Sequence, residues 1–278
     1  MSTTIDLDKY VGIGKRYIIP PSNSCDPDAV AFLTLTGITD ATISGAICQL
    51  VTDLKTAGVW STINVLYPFV GGTALTHKLN LKNTLAYPIT WLGGVTHNAN
   101  GVTFNGINAY GDTLYNESLH ETPYKTHKAV YDRSTVADNA IQIGAQAVGG
   151  GYQRSLLYTA VGTSFYVDCY DVLDNYGRLN ALSGGAQGLW QYSRNGVAPG
   201  TLNAYKNGLV KASSIYPAYG TQPDVNTWIG ALNNNGVISS PTSHNLALVS
   251  MGSDMTALQV AAYYTAVQAF QTTLGRQV

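Results

Sequence analysis

The sequence is poor in charge. Of 278 residues, 15 are Lys or Arg and 16 are Asp or Glu, so 11% are charged, where an ordinary soluble domain has about a quarter. The formal net charge is −1 and neither sign forms a block, which excludes the basic footprint of a nucleic-acid-binding protein and the polybasic face of one that sits on anionic lipid. No run reaches the roughly 18 uninterrupted apolar residues that a membrane span needs. The opening Met-Ser-Thr-Thr-Ile-Asp-Leu-Asp-Lys-Tyr has no basic segment followed by an apolar one, so no signal peptide is expected. Cysteine is scarce too. Cys25, Cys48 and Cys169 are odd in number and in no metal-ligand or redox spacing, so the expectation is three reduced thiols, two of them buried, with neither a disulfide framework nor a zinc site.

What is present can build a large core. Hydrophobic residues make up 45% and aromatics 10%, enough for one large domain and unlike a disordered composition. The missing charge is replaced by Asn, Thr, Ser, 29 Gly and 19 Tyr, a surface suited to broad, neutral, hydrogen-bonding contacts. Residues 1–25 read as an extension or anchoring arm, with Tyr17-Ile18-Ile19 closed by Pro20-Pro21. Residues 26–59 read as helical. Asp26 caps and Pro27 opens a short helix ended at Gly37. Thr39 or Asp40 caps a longer one whose apolar positions Ile43, Ala46, Ile47, Leu50, Val51 and Leu54 recur at three and four before Gly58.

From residue 60 to 253 the period changes to that of an all-β sandwich. Candidate strands are Ile63–Phe69, Thr76–Leu81, Val102–Asn105, Ala129–Arg133, Ala140–Gln146, Leu156–Ala160, Ser164–Val172, Gly188–Ser193, Leu202–Lys206, Thr227–Ala231 and Ala247–Met251. Asn207-Gly208 is the strongest hairpin signal, because both residues tolerate positive φ. Asn105-Gly106, Asn195-Gly196 and Asn235-Gly236 repeat it. Residues 254–278 form a closing helix, with Thr256 and Gln259 as a capping box and Val260, Tyr264, Val267, Phe270 and Leu274 as its apolar stripe up to Gly275.

Several segments, in order, are similar to concanavalin A-like (laminin G-like) jelly-roll domains: Trp91-Leu-Gly-Gly with Gly101-Val-Thr-Phe-Asn-Gly-Ile-Asn-Ala-Tyr-Gly-Asp-Thr113, then Leu202-Asn-Ala-Tyr-Lys-Asn-Gly-Leu-Val-Lys211, then Trp228-Ile-Gly-Ala231 and Leu246-Ala-Leu-Val-Ser-Met-Gly252. Asp28-Ala-Val-Ala-Phe-Leu, Thr36-Gly-Ile-Thr-Asp40, Tyr67-Pro-Phe-Val-Gly-Gly72 and the terminal Tyr263-Tyr-Thr-Ala-Val-Gln-Ala-Phe-Gln-Thr-Thr-Leu-Gly-Arg-Gln-Val278 resemble virion structural proteins of tailed bacteriophages, of head or tail fibre type. The fold that follows is mainly β, a jelly-roll sandwich of two antiparallel sheets with N-terminal helices and one C-terminal helix. The resemblance implies a virion subunit, partnered by other virion proteins, homo-oligomeric, and made in a host cytoplasm.

Sandwiches of this shape also serve as glycosidases, which need two carboxylates flanking one bond. The only glutamates are Glu117 and Glu121, four apart beside a proline, which reads as a loop. Asp168 reads as a strand-edge or solvated residue. No G-x-S-x-G occurs, the histidines (His77, His97, His120, His127, His244) form no H-x-H or H-x-x-x-H pair, and Gly149-Gly-Gly151 lacks the lysine of a phosphate loop. Calcium has oxygens to hand in Asp112, Asp171, Asp174 and Asn175, which read by default as turn formers. The chain is therefore expected to be no enzyme, to hold no cofactor, and to act by protein–protein assembly. A carbohydrate-binding module that recognises a host-surface glycan is the alternative, and a polysaccharide depolymerase a third reading. Candidate glycan or interface aromatics are Trp91, Trp190, Tyr192, Tyr216 and Tyr219, with Tyr152 beside them, since an exposed ring stacks on a sugar face. On strand alternation, no more than one of the pairs Trp190/Tyr192 and Leu189/Gln191 points inward.

Overall fold

The computed structural model describes residues 25–135, 138–149, 151–159, 164–170, 178–183, 185–196, 200–216 and 220–278. The expected N-terminal arm lies, but for Cys25, outside them. Helix α1 (Pro27–Thr36) begins where Asp26 accepts the Asp28 N–H and ends at Gly37 in the left-handed region. Helix α2 (Ala41–Thr56) is capped by Asp40 and buries Ala46, Ile47, Leu50, Val51 and Leu54, as its periodicity requires.

One expectation fails at the helices. Cys25 and Cys48 are joined in a disulfide, with Cα atoms 5.1 Å apart, and only Cys169 is a free, buried thiol. The α1–α2 hairpin folds the residue before one helix against the middle of the next, a proximity that sequence spacing does not reveal. The bond spans 23 residues, so reduction, or Cys25→Ser with Cys48→Ser, should lower unfolding stability by about 3 kcal/mol in a urea titration.

Two sheets make the sandwich. Sheet I runs β13 (Leu209–Tyr216), β12 (Gly200–Lys206), β11 (Gly188–Asn195), β6 (Thr126–Asp132), β17 (Asn245–Gly252), β4 (Gly101–Thr103) and β3 (Thr96–Asn98), with β1 (Ile63–Tyr67) also paired to β17. Sheet II runs β10 (Arg178–Ser183), β9 (Ser164–Cys169), β8 (Gly151–Thr159), β7 (Ala140–Gly149), β14 (Asn226–Ile229), β5 (Tyr110–Asn116) and β2 (Thr90–Leu92). Beside β7 lies β15 (Leu232–Asn234), hairpinned to β16 (Val237–Ser239). The β12–β13 and β15–β16 hairpins turn on Asn207-Gly208 and Asn235-Gly236, all four residues at positive φ. The segment expected as strand Thr76–Leu81 instead begins within the short helix α3 (Ala74–His77), because Thr73 and Thr76 form a local capping box.

The closing helix α5 (Ala257–Thr273) starts at the expected Thr256/Gln259 box, but buries Tyr263 fully and Tyr264 only in part. Helices α1, α2 and α5 cover the outer face of sheet I, so there are two core layers. Leu189, Tyr131 and Tyr205 pack against the helices, while Val130, Trp190, Tyr192 and Leu202 meet Leu157, Phe165 and Val167 of sheet II. Strand β11 is thereby buried on both faces, which corrects the reading that only one side of it points inward. Beside the last helix, Arg276 is 1% exposed. Its guanidinium donates to the carbonyls of Pro68, Phe69 and Ala247 at 2.7, 2.8 and 3.1 Å.

Candidate functional site

A groove of about 540 Å³ opens between α1, β1 and residues 79–87. Its wall depends on Asn80, fully buried, whose Oδ1 accepts the N–H groups of Leu66 and Lys82 and so lays the segment along β1. At the end of this segment Tyr87 stands before Pro88 with φ +58°, a conformation that costs a bulky residue 1–2 kcal/mol or so. The Tyr67 hydroxyl holds it by donating to the Tyr87 carbonyl at 2.7 Å. The Tyr87 ring meets Tyr115 edge-on at 5.1 Å and His120 at 5.2 Å, and its hydroxyl lies 2.9 Å from His120 Nε2. Asn64, Asn83 and Thr84 supply amides and a hydroxyl along the same groove.

Beneath the groove lies a buried polar cluster. Tyr115 is the link: its hydroxyl accepts from Asn64 Nδ2 at 2.9 Å and donates to Glu121 at 2.8 Å. Tyr170 sits between the two glutamates, 2.7 Å from a Glu117 oxygen and 3.2 Å from a Glu121 oxygen. Glu117 is fully buried, forms an ion pair with buried Lys128, and accepts from Thr227 at 2.8 Å. Lys128 also donates to Ser155, which contacts the Tyr192 hydroxyl at 2.6 Å. Burial and the neighbouring Glu117 carboxylate push Glu121 up to about 8. A protonated Glu121 can give its hydrogen to the Tyr170 oxygen and leave Tyr170's own for Glu117.

The Glu117–Glu121 segment is therefore no plain loop. It forms the short helix α4 (Glu117–His120), capped by Asn116. Its two carboxyls share one phenol, but the fully buried Tyr115 stands between Glu121 and the groove.

The other expected residues scatter. Trp91 is half-buried, donating to the Ala74 carbonyl and packed at 4.9 Å against His97. Trp190 and Tyr192 present no ring to solvent: Trp190 is 1% exposed and stacks on Phe165 at 3.9 Å, and Tyr192 is fully enclosed between the sheets. The side chains of Tyr152 and Tyr216, and all of Tyr219, lie outside what is described. Asp168 is fully buried rather than solvated, held by Arg178 at 2.6 Å through two nitrogens and by Arg154. Of the oxygens considered for calcium, Asp112 accepts the Leu114 N–H, and Asp171, Asp174 and Asn175 lie outside the described residues. Tyr87 and His120 were not marked by any periodicity. The one local sign is the Tyr87-Pro88 pair, in which the proline takes a donor out of any strand and disfavours helix at the residue before it.

A second buried cluster pins the end of the sandwich. His244, fully buried, lies between Asp132 at 2.5 Å and Asp138 at 2.8 Å. Burial pulls its pKa down, but the bonds to both carboxylates outweigh that and hold it up at about 9. Because this is above the roughly 6.5 of a free imidazole, the stabilisation is complete below that pH and is lost as pH rises through about 9. The urea midpoint should fall over this alkaline range, and His244→Gln should flatten that limb of the profile.

No protein-family model matches the chain, and no curated protein sequence matches it. Solved structures do share the fold. Domain 4 of AbnA, an extracellular GH43 arabinanase from Geobacillus stearothermophilus solved with arabinotriose, is 13% identical with a TM-score of 0.50, covering 73% of this chain and 98% of that one. A Trypanosoma rangeli sialidase in complex with 2,3-difluorosialic acid is 10% identical with a TM-score of 0.51, covering 80% of this chain and 38% of that one. The CBM40 of a Ruminococcus gnavus sialidase, bound to α2,3-sialyllactose, is 15% identical with a TM-score of 0.41, covering 50% and 81%.

Proposed function

We propose that this chain is a carbohydrate-binding β-sandwich and that a glycan lies in the groove walled by Tyr87 and His120. The observation that carries the reading is Tyr87, whose backbone is held at positive φ and whose half-buried side chain lies beside Asn64, Asn83 and Thr84. An aromatic face stacks on the C–H face of a sugar while amides and hydroxyls bond its hydroxyl groups, and strain at one residue is retained where it serves a site. The arabinanase domain of like fold, solved with arabinotriose, is in keeping with it. We read the protein as a binder without hydrolytic action, because among the described residues Asp28 is the carboxylate lining the groove and glycoside hydrolysis asks for two. The Cys25–Cys48 disulfide suits work in an oxidising environment outside a cell.

Glycine is at ease with positive φ, so Tyr87→Gly relieves the backbone while removing the ring. We expect that relief to offset part of the packing lost against Tyr115 and His120, leaving a folded protein destabilised by about 1–3 kcal/mol, and its retention on an immobilised glycan to weaken about tenfold or more. Failure of the parent to bind any glycan on an array removes the proposal.

A second reading is a subunit of a bacteriophage head or tail structure, held by neighbours. It is favoured by the apolar residues Leu209, Val210 and Ile215, which are 67, 53 and 69% exposed on β13, the strand that ends the order of sheet I, since such an edge invites pairing. A protein monomeric at every concentration in a mass measurement counts against it.

A further inference from the structure

We infer that the groove selects an uncharged glycan and rejects acidic sugars; this rests on the glycan reading above. Each charge near the groove on the described residues is already engaged. Lys55 lies 2.8 Å from Asp26 and 2.6 Å from Asp28. The same Asp28 oxygen accepts the Trp60 indole N–H at 3.2 Å. Lys82 donates to the Trp60 carbonyl at 2.7 Å and places its ammonium 4.6 Å from the centre of the Trp60 ring. Burial lowers its pKa, so its environment does not favour added charge. Two carboxylates and two ammonium groups are thus locked together around one indole at the α1 side of the groove.

A sialic or uronic acid is recognised by a guanidinium fork or by an ammonium free to turn to it. Among the described residues the groove is lined by no arginine, and Lys82 must give up its carbonyl and its ring before it can serve. The carboxylate of an incoming acidic sugar loses water without a partner, and Asp28 faces it with like charge. Of the other titratable side chains lining the groove, His120 Nε2 and the Tyr87 hydroxyl engage each other, and the Tyr115 hydroxyl is bonded to Asn64 and Glu121. What faces a ligand is neutral: Asn64 Oδ1 and Asn83 Nδ2, whose amide partner atoms are engaged by Tyr115 and the Leu85 N–H, the Thr84 hydroxyl and the Tyr87 ring. These fit sugar hydroxyls and C–H faces.

The test titrates the full chain calorimetrically, at mildly alkaline pH and at low and high salt, with two neutral probes (arabinotriose and cellotriose) and two acidic ones (3′-sialyllactose and trigalacturonic acid). Binding of a neutral probe is expected to change less than about twofold with salt, because no ion pair is screened. The acidic probes should bind about tenfold more weakly or not at all. Tighter binding of an acidic probe, weakened steeply by salt, overturns the inference and leaves the glycan reading standing. Neutral binding that survives Tyr87→Gly also overturns it, since the ligand then sits elsewhere. If neither class binds and a wider array is blank as well, the glycan reading itself falls and takes the inference with it.

Discussion

Lys128→Met is expected to destabilise the protein by about 3–5 kcal/mol, the cost of leaving a buried charge without its partner. Lys128 and Glu117 are both enclosed between the sheets, and Lys128 also serves Ser155 at 2.5 Å. Removing the ammonium strands the Glu117 carboxylate in a site where water cannot replace it. Adding Glu117→Gln should recover much of the loss, because an amide carries no charge and its oxygen still accepts from Tyr170 or Thr227. Urea titrations on parent, single and double variants measure both effects. A single variant as stable as the parent would remove the claim that this ion pair matters.

The second large effect belongs to Arg276→Met, expected to cost at least about 3 kcal/mol. The guanidinium reaches carbonyls from three separated stretches, at Pro68 and Phe69, at Ala99 and at Ala247, and also Gln271 Oε1 at 2.5 Å. Every one of these partners is an uncharged oxygen. Losing the side chain leaves several acceptors without a donor, each costing 1–3 kcal/mol or so. Arg276→Lys should recover little, since one ammonium cannot span a fork. Gln277→Ala, at the exposed neighbour, should change stability by less than about 0.5 kcal/mol. Thermal melts of the three variants suffice, and a stable Arg276→Met protein would refute the account.

Much of the fold was legible because its signals are local. Asn207-Gly208 must turn, Asp26-Pro27 must start a helix, and Thr256 with Gln259 must cap one; each needs only the residues beside it. Alternation along β11 correctly put Trp190 and Tyr192 together on one face. It could not say that helices cover the other face, because that depends on chain more than fifty residues away at either end. The disulfide was hidden for the same reason: two cysteines pair when two helices fold back, and spacing alone does not report it. The candidate site was the least legible part. Its wall joins Asn64, Tyr87 and His120 from three segments, and the pair that gives it character, a tyrosine before a proline, is common in ordinary turns. Glu117 and Glu121 stand out as the two glutamates of the sequence, but their burial follows from tertiary packing.

The Arg276 contacts also set an order of events during synthesis. The α1–α2 hairpin and its cross-link lie within residues 25–57, so this unit can form before the strands that follow it are made. The sandwich cannot fill its hydrogen bonds in the same way. Carbonyls at 68, 69 and 99 wait for a donor that leaves the ribosome about two hundred residues later, and strand β1 waits for β17. Contacts of such long sequence separation fold slowly. Until β17 is made, the edge of β1 that it covers stays open, and a nascent chain of this kind depends on its surroundings to keep it from pairing with its neighbours.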